Sequence, residues 1–145
     1  MPRYVTVINS TWNVEQAFAF MSDFSNAVRW DPGVLSAHRL DGGEVRVGSA
    51  FDLTVAFAGR RMTLRYAVRS LTAPQQVVFV ASTSLLESVD TLTFEQRGEE
   101  CRMTYDADLR FKGLAAVANP LLALGFRRVG DRARDSLRSV LTTEQ

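Results

Sequence analysis

Few side chains in this sequence could do acid–base or metal chemistry. His38 is the single histidine and Cys101 the single cysteine. His38 has the same strand parity as Val34 and Leu40, which predicts an inward-facing imidazole, and its ordinary pKa of about 6.5 suits a general base. A lone buried thiol is typically structural. One histidine and one cysteine, with no carboxylates clustered on the inward faces, give no metal-ligand set, so we expect no metal.

Asp90 and two tyrosines are the other candidates. Asp90 has the same strand parity as the apolar residues Leu92 and Phe94. Burial on such a face would raise the pKa of Asp90 and allow proton exchange near neutral pH. Tyr66 and Tyr105 also fall on apolar parities, where their hydroxyls could hold a carbonyl oxygen. Simpler alternatives remain open: a solvated His38 near a sheet edge, an Asp90 paired with arginine, and tyrosines that only pack.

The composition is that of one globular domain over residues 1–145. Apolar residues make up 46% and charged residues 23%, and the formal net charge is +1. Such a balance excludes a disordered chain and gives no field that would attract nucleic acid. No run approaches the roughly 18 apolar residues of a membrane span. No glycine-rich phosphate loop is present, so we expect no cofactor. The charge balance and the absence of a long apolar run predict no nucleic-acid partner and no integral membrane association. A single cysteine allows no intramolecular disulfide, which favours a cytoplasmic location.

Seven segments alternate with a period of two and are separated by turn signals, so they predict strands in antiparallel meander order. These segments are Arg3–Asn9, Val34–Leu40, Ser49–Ala58, Arg60–Leu71, Gln76–Thr83, Ser88–Gln96 and Cys101–Phe111. In each of the clearest ones, one parity is apolar and the other charged. The pattern predicts a sheet with one dry face and one wet face.

Helical spacing flanks these strands. Two short helices follow the first strand, with Ser10 or Thr11 as the expected cap, and Pro32-Gly33 ends the second. A long helix is predicted from Pro120 to about Leu141. Gly130 lies inside it, where a missing side chain leaves room for a ligand or lets the helix bend. One long helix is too narrow to fill the concave face of a twisted seven-stranded sheet, so we expect an apolar cavity between them.

The chain resembles the START-like, or SRPBCC, superfamily. The residues that carry this resemblance are Val14–Asp23 (VEQAFAFMSD), Trp30–Val34 (WDPGV), Val47-Gly48-Ser49, Leu92–Glu95 (LTFE) and Cys101–Tyr105 (CRMTY). It is most similar to the polyketide cyclase/dehydrase family, and the similarity extends over essentially the whole chain. The resemblance implies an α+β helix-grip fold, in which a curved seven-stranded antiparallel sheet wraps around the C-terminal helix. It also implies that Trp30 and Pro32-Gly33 close one end of the cavity; the alternative is that Trp30 is only a core anchor.

We therefore expect a carrier or sensor that binds a small hydrophobic molecule, such as a lipid, a polyketide or a quinone-like compound. The predicted ligand-binding residues are Trp30, Phe51, Leu53, Phe57, Met62, Leu64, Tyr66, Phe79, Leu92, Met103, Tyr105, Phe126 and Val129. A cyclase or dehydrase that uses His38, Asp90 or Tyr105 is the first alternative. A filled core that serves only protein contacts is the second. The oligomeric state is not determined by the sequence.

Overall fold

A computed structural model describes residues 3–57, 59–113 and 119–143. The strands are β1 (Arg3–Ser10), β2 (Val34–Arg39), β3 (Ala50–Phe57), β4 (Arg60–Thr72), β5 (Gln76–Ser82), β6 (Leu86–Arg97) and β7 (Glu100–Phe111). The helices are α1 (Val14–Ser22), α2 (Ala27–Trp30) and α3 (Asn119–Leu141), with a 3-10 turn over Phe24–Asn26 between α1 and α2. None of the helices in the described ranges is both long and apolar enough to span a membrane.

The strands form one seven-stranded antiparallel sheet in the order β1-β7-β6-β5-β4-β3-β2. Each strand from β2 to β6 pairs with the next in the chain, and β1 completes the order by pairing with β7. The predicted helix-grip fold is confirmed: the sheet curls, and α3 packs on its concave side mainly against β1.

The convex face of the sheet is polar. Arg65 on β4 donates two hydrogen bonds to Asp52 on β3, at 2.8 and 3.0 Å. Arg3 on β1 pairs in the same way with Asp106 on β7. These cross-strand pairs keep charged side chains in solvent, so the convex face needs no covering element.

His38 lies on this convex face, and the prediction that it faces inward was wrong. The register of β2 against β3 pairs Val34 with Val55 but Ser36 with Thr54, so Leu35 is an extra residue in a β-bulge. A bulge reverses the parity of every residue beyond it. His38 is consequently opposite Asp52 and exposed.

The first helix begins two or three residues later than expected. Asn13, rather than Ser10 or Thr11, caps α1: its side chain accepts from the Gln16 amide at 2.8 Å, and the Gln16 side chain accepts from the Asn13 amide. Ser10 has a different partner, since its hydroxyl donates to the Leu141 carbonyl at 2.7 Å. This bond ties the end of α3 to the end of β1.

The end of α3 is held a second time by Trp12, which donates from Nε1 to the Thr143 carbonyl at 2.7 Å. Leu137 and Leu141 from the last turns are fully buried in the core. The helix is thus fixed at its C-terminal end. Its earlier turns, around Phe126 and Val129, lie over the region where the site is found.

Candidate functional site

A cavity of about 140 Å³ lies between the concave face of the sheet and α3. Residues from α2, the turn after it, five strands (β1, β3, β4, β6 and β7) and α3 line it. The lining residues are Tyr4, Thr6, Trp30, Asp31, Gly33, Val55, Ala56, Met62, Leu64, Tyr66, Leu86, Ser88, Asp90, Tyr105, Ala107, Leu109, Phe126, Val129, Gly130, Ala133, Arg134 and Leu137. Most of this surface is apolar, and the polar groups belong to a small number of residues.

The turn after α2 forms one wall. Trp30 is only 3% exposed and meets the Tyr105 ring edge-on at 5.6 Å between centroids. Asp31 accepts a hydrogen bond at Oδ1 from the Gly33 amide at 2.8 Å, an Asx-type contact that fixes the reversal. Gly33 packs under α3, where an added Cβ would lie 3.5 Å from Val129. The turn therefore places an indole and a carboxyl group against the same cavity.

A chain of four hydrogen-bonded side chains crosses the sheet at the cavity wall. Tyr66 donates to Ser88 Oγ at 3.0 Å, and Ser88 donates to Asp90 Oδ1 at 3.1 Å. Tyr105 donates to Asp90 Oδ2 at 2.5 Å. All four side chains are buried, and Asp90 is 6% exposed. The three strands β4, β6 and β7 contribute to this network, so its geometry depends on the strand register.

Two carboxyl groups that line the cavity, those of Asp90 and Asp31, have pKa values above the usual value for aspartate. Burial raises the pKa of Asp90 to about 6, although the hydrogen bonds from Tyr105 and Ser88 oppose the shift. Burial likewise raises the pKa of Asp31 to about 6. Burial and the nearby Asp90 charge raise the pKa of Tyr105 well above its usual value. At neutral pH the phenol therefore keeps its proton, and the carboxyls exchange theirs within a physiological range.

Tyr4 and α3 form the opposite rim. The Tyr4 hydroxyl donates to Asp131 at 2.7 Å, and Arg134, 34% exposed, pairs with Asp131 at 3.5 Å and with Asp135 at 3.1 Å. A Cβ on Gly130 would lie 2.6 Å from the Tyr4 ring. The space left by this glycine is thus filled by an aromatic ring from β1 and is not free for a ligand.

The predicted ligand-binding residues divide into two groups. Seven of them line the cavity: Trp30, Met62, Leu64, Tyr66, Tyr105, Phe126 and Val129. Five others, Phe51, Leu53, Phe79, Leu92 and Met103, are buried in the packed core and do not line it. The side chain of Phe57 lies outside the described residues. Strand parity assigned a concave orientation to eight of the described residues but did not distinguish the empty region from the filled one.

The catalytic candidates also separate. Asp90 and Tyr105 line the cavity and touch each other, whereas His38 is on the convex face. Cys101 is buried away from the cavity, and burial raises the pKa of its thiol, as a structural cysteine requires. Within residues 3–57, 59–113 and 119–143, no three His, Cys, Asp or Glu side chains are grouped closely enough to hold a metal ion.

Several polar residues that line the cavity were not predicted from the sequence, among them Ser88 and Asp31. Ser88 has the same parity as Asp90, so the strand pattern already contained the signal for it. Asp31 is in a turn, where parity does not apply. Its type, two residues before a glycine, indicates an Asx turn but not that its second oxygen borders a cavity.

Known proteins resemble this chain in both sequence profile and fold. The profile of the family described as polyketide cyclase/dehydrase and lipid transport matches residues 1–142. Among proteins of curated function, none matches the sequence significantly.

Three solved structures illustrate the shared fold. A START superfamily protein from Mycobacterium smegmatis is 15% identical, with a TM-score of 0.78 and 96% of each chain covered. An aromatase/cyclase from Streptomyces sp. R1128 is 12% identical, with a TM-score of 0.75 and coverage of 96% of this chain and 90% of that chain. A major latex-like protein from Panax ginseng is 11% identical, with a TM-score of 0.70 and 97% of each chain covered. At such identities the likeness concerns the fold.

Proposed function

Since the chain belongs to the polyketide cyclase/dehydrase and lipid transport family, we propose that it binds a small, largely apolar molecule in the cavity between the sheet and α3, as a carrier or sensor. The observation that carries this proposal is the cavity itself, with its apolar walls and its few polar groups. Ligand sites in proteins typically have this composition.

The energetics of the cavity support a bound molecule. An unfilled apolar cavity costs about 24 cal/mol for each Å³, so a volume of about 140 Å³ corresponds to about 3 kcal/mol. A ligand of matching size would recover part of this free energy by contacting Met62, Leu64 and Leu109 on the strands and Val129 on α3. The cavity also argues against a filled core that serves only protein contacts.

Tryptophan fluorescence gives a direct binding test, because the chain has two tryptophans and one of them lines the cavity. Trp12 packs against Phe20, with ring centroids 5.3 Å apart, and does not line the cavity. In a Trp12→Phe background, the emission of Trp30 should shift and saturate when fatty acids, quinones or single-ring aromatics are titrated. An emission spectrum that no member of this panel changes would contradict the proposal.

Two leucines provide a matched control. Leu53 and Leu64 are opposite each other in the β3–β4 register, but only Leu64 lines the cavity. Leu64→Trp should abolish binding with little loss of stability, since the indole has space to enter. Leu53→Trp should destabilise the fold by about 1–3 kcal/mol through overpacking and leave binding intact. Equal destabilisation by the two changes would mean that the cavity is filled.

A second candidate function, a cyclase or dehydrase, is favoured by one observation: Asp90 is buried and lines the cavity beside Tyr105. This burial raises the pKa of Asp90 to about 6. A carboxylate with this pKa can take an acidic methylene proton. We therefore expect the protein to accelerate hydrogen–deuterium exchange at the methylene of benzoylacetone, measured by NMR. Asp90→Asn should remove the acceleration and His38→Ala should not. Exchange at the buffer rate would exclude this chemistry.

A further inference from the structure

The direction of the hydrogen bonds decides what the cavity offers to a ligand. An ionised Asp90 can only accept hydrogen bonds, so the Ser88 hydroxyl must donate its single proton to the Asp90 carboxylate. Tyr66 must then donate to Ser88, and Tyr105 donates to the other carboxylate oxygen. Every hydroxyl proton of the network is used inside it. Only oxygen lone pairs remain for a bound molecule.

Asp31 adds a second acceptor to the same cavity. Its Oδ1 accepts from the Gly33 amide, whereas its Oδ2 accepts no hydrogen bond from any described residue. Neither Asp31 nor Asp90 forms an ion pair with the arginines and the lysine of the described ranges. Arg134 is the one cation among the cavity-lining residues that the structure describes, and it is already paired with two aspartates of α3.

Aromatic rings surround these carboxyl groups. Trp30, Tyr66, Tyr105 and Phe126 all line the cavity, and the first three are buried. Ring faces attract cations, most strongly when water is excluded. Aromatic walls, two carboxyl groups without a partner cation and an excess of acceptors all favour the same kind of ligand.

We propose that the molecule bound in this cavity is an amine whose protonated nitrogen lies between Asp31 and Asp90 and whose apolar part is about the size of one six-membered ring. This inference rests on the proposed binding function and specifies the polar group of the ligand. The size follows from the volume of about 140 Å³, since a cavity of about 150 Å³ holds benzene.

The charge of the ligand follows from the cost of burying anions. Two carboxylates in an apolar cavity are expensive unless a cation compensates them. An ammonium group supplies both the positive charge and the N–H donors that the network lacks. A carboxylate ligand, such as a fatty acid, would be repelled by Asp31 and Asp90. A ketone would find no hydroxyl proton in the network free to donate to it.

The test compares four single-ring compounds by isothermal titration calorimetry at about pH 7.5, where both carboxyls are mostly ionised. Benzylamine is the cation, benzyl alcohol the neutral donor, ethylbenzene the apolar isostere and phenylacetate the anion. We expect benzylamine to bind at least about tenfold more tightly than ethylbenzene, a difference of about 1.4 kcal/mol. Phenylacetate should bind more weakly than ethylbenzene.

Asp31→Asn separates this role from a structural one. Asparagine keeps the Oδ1 acceptor for the Gly33 amide, so the turn should be retained. Benzylamine should then lose about tenfold in affinity, and ethylbenzene should bind as it does to the unmodified protein. Asp90→Asn should produce the same selective loss. Asp52→Asn, on the convex face, is the control and should change neither affinity.

The possible outcomes discriminate between this inference and the function on which it rests. If ethylbenzene binds and benzylamine binds no more tightly, the amine inference is wrong and the binding function stands. Tighter binding of phenylacetate, or a benzylamine preference that survives both variants, also overturns the inference. If none of the four compounds binds, both the inference and the proposed function fail.

Discussion

The two ends of the concave sheet face are built from similar residues, but one end is packed solid and the other contains a cavity. At one end Phe24 from the 3-10 turn stacks on Phe79 at 4.2 Å, and Phe51 meets both rings edge-on. At the other end Trp30 and Tyr105 surround a cavity of about 140 Å³. Tyr66 lies at the boundary, with its ring edge-on to Phe24 at 5.0 Å and its hydroxyl in the polar network.

The difference lies in the element that covers each end. The 3-10 turn inserts a large ring into the first end. Over the second end, α3 presents Val129 and Ala133 beside Phe126, and the small side chains of the first two leave space. The filled end therefore contributes mostly stability, and the open end is available for a ligand.

The largest effect on the free energy of unfolding should appear when one leucine at each end is shortened to alanine. Leu53→Ala should cost about 2–5 kcal/mol of unfolding free energy, because Leu53 is surrounded by packed atoms. Leu64→Ala should cost about half as much, since one side of this residue already faces empty space. Denaturant unfolding of both variants measures the contrast. Equal costs would mean that the two ends are equally packed.

The next effect is a pH dependence of the folding stability that comes from the buried carboxyl group of Asp90. Asp90 has a pKa of about 6 in the folded state against an unperturbed 3.8, so its contribution to stability is complete below that lower value and is lost as pH rises through 6. Relative to Asp90→Asn, the unmodified protein should gain about 1–3 kcal/mol between about pH 7.5 and pH 4. The charged or titratable groups that act on Asp90 are Tyr105, Asp31 and Asp106, together with the hydroxyl of Ser88.

Asp52 is the control for this pH series, because its contribution to stability should change with pH in the opposite direction. The hydrogen bond from Arg65 lowers the pKa of Asp52, so the stability that it contributes is lost as pH falls. Relative to Asp52→Asn, the unmodified protein should therefore lose stability on acidification. Equal slopes for both comparisons would refute the assignment of Asp90 as a buried acid.

A smaller effect is expected at the rim, where Gly130 and Tyr4 are in close contact. Alanine is favoured over glycine in a helix by about 1 kcal/mol. The new Cβ would nevertheless lie 2.6 Å from the Tyr4 ring and displace it from its bond to Asp131. Gly130→Ala should thus destabilise by about 1 kcal/mol or more, and should stabilise in a Tyr4→Ala background. A double-mutant cycle without this change of sign would show that the ring does not occupy the space.

His38→Ala should have the smallest effect, within about 0.5 kcal/mol, because the side chain is exposed on the convex face. Ligand binding in the fluorescence titration should also be unchanged. A loss of binding in this variant would mean that the bulge at Leu35 is misplaced and that the imidazole reaches the cavity.

Most of the fold could be predicted from periodicity, because most strands bury one face and alternate apolar with polar side chains. The same rule failed where the chain departs from regular geometry. The bulge at Leu35 reversed the orientation of His38, and no residue type around it signals an extra position. Parity could not assign Phe79 to a face, because its strand is apolar on both parities, and it could not show that Phe24 stacks on this ring. The orientation of Asp31 depends on the tertiary packing of its turn.

A crystal structure of the protein soaked with bromobenzene, recorded with the anomalous signal of bromine, would show directly whether the cavity between the sheet and α3 takes a ligand. We expect an anomalous peak between the rings of Trp30 and Tyr105 on one side and Val129 of α3 on the other. Electron density that shows protein side chains filling this region, with no bromine peak there, would contradict it.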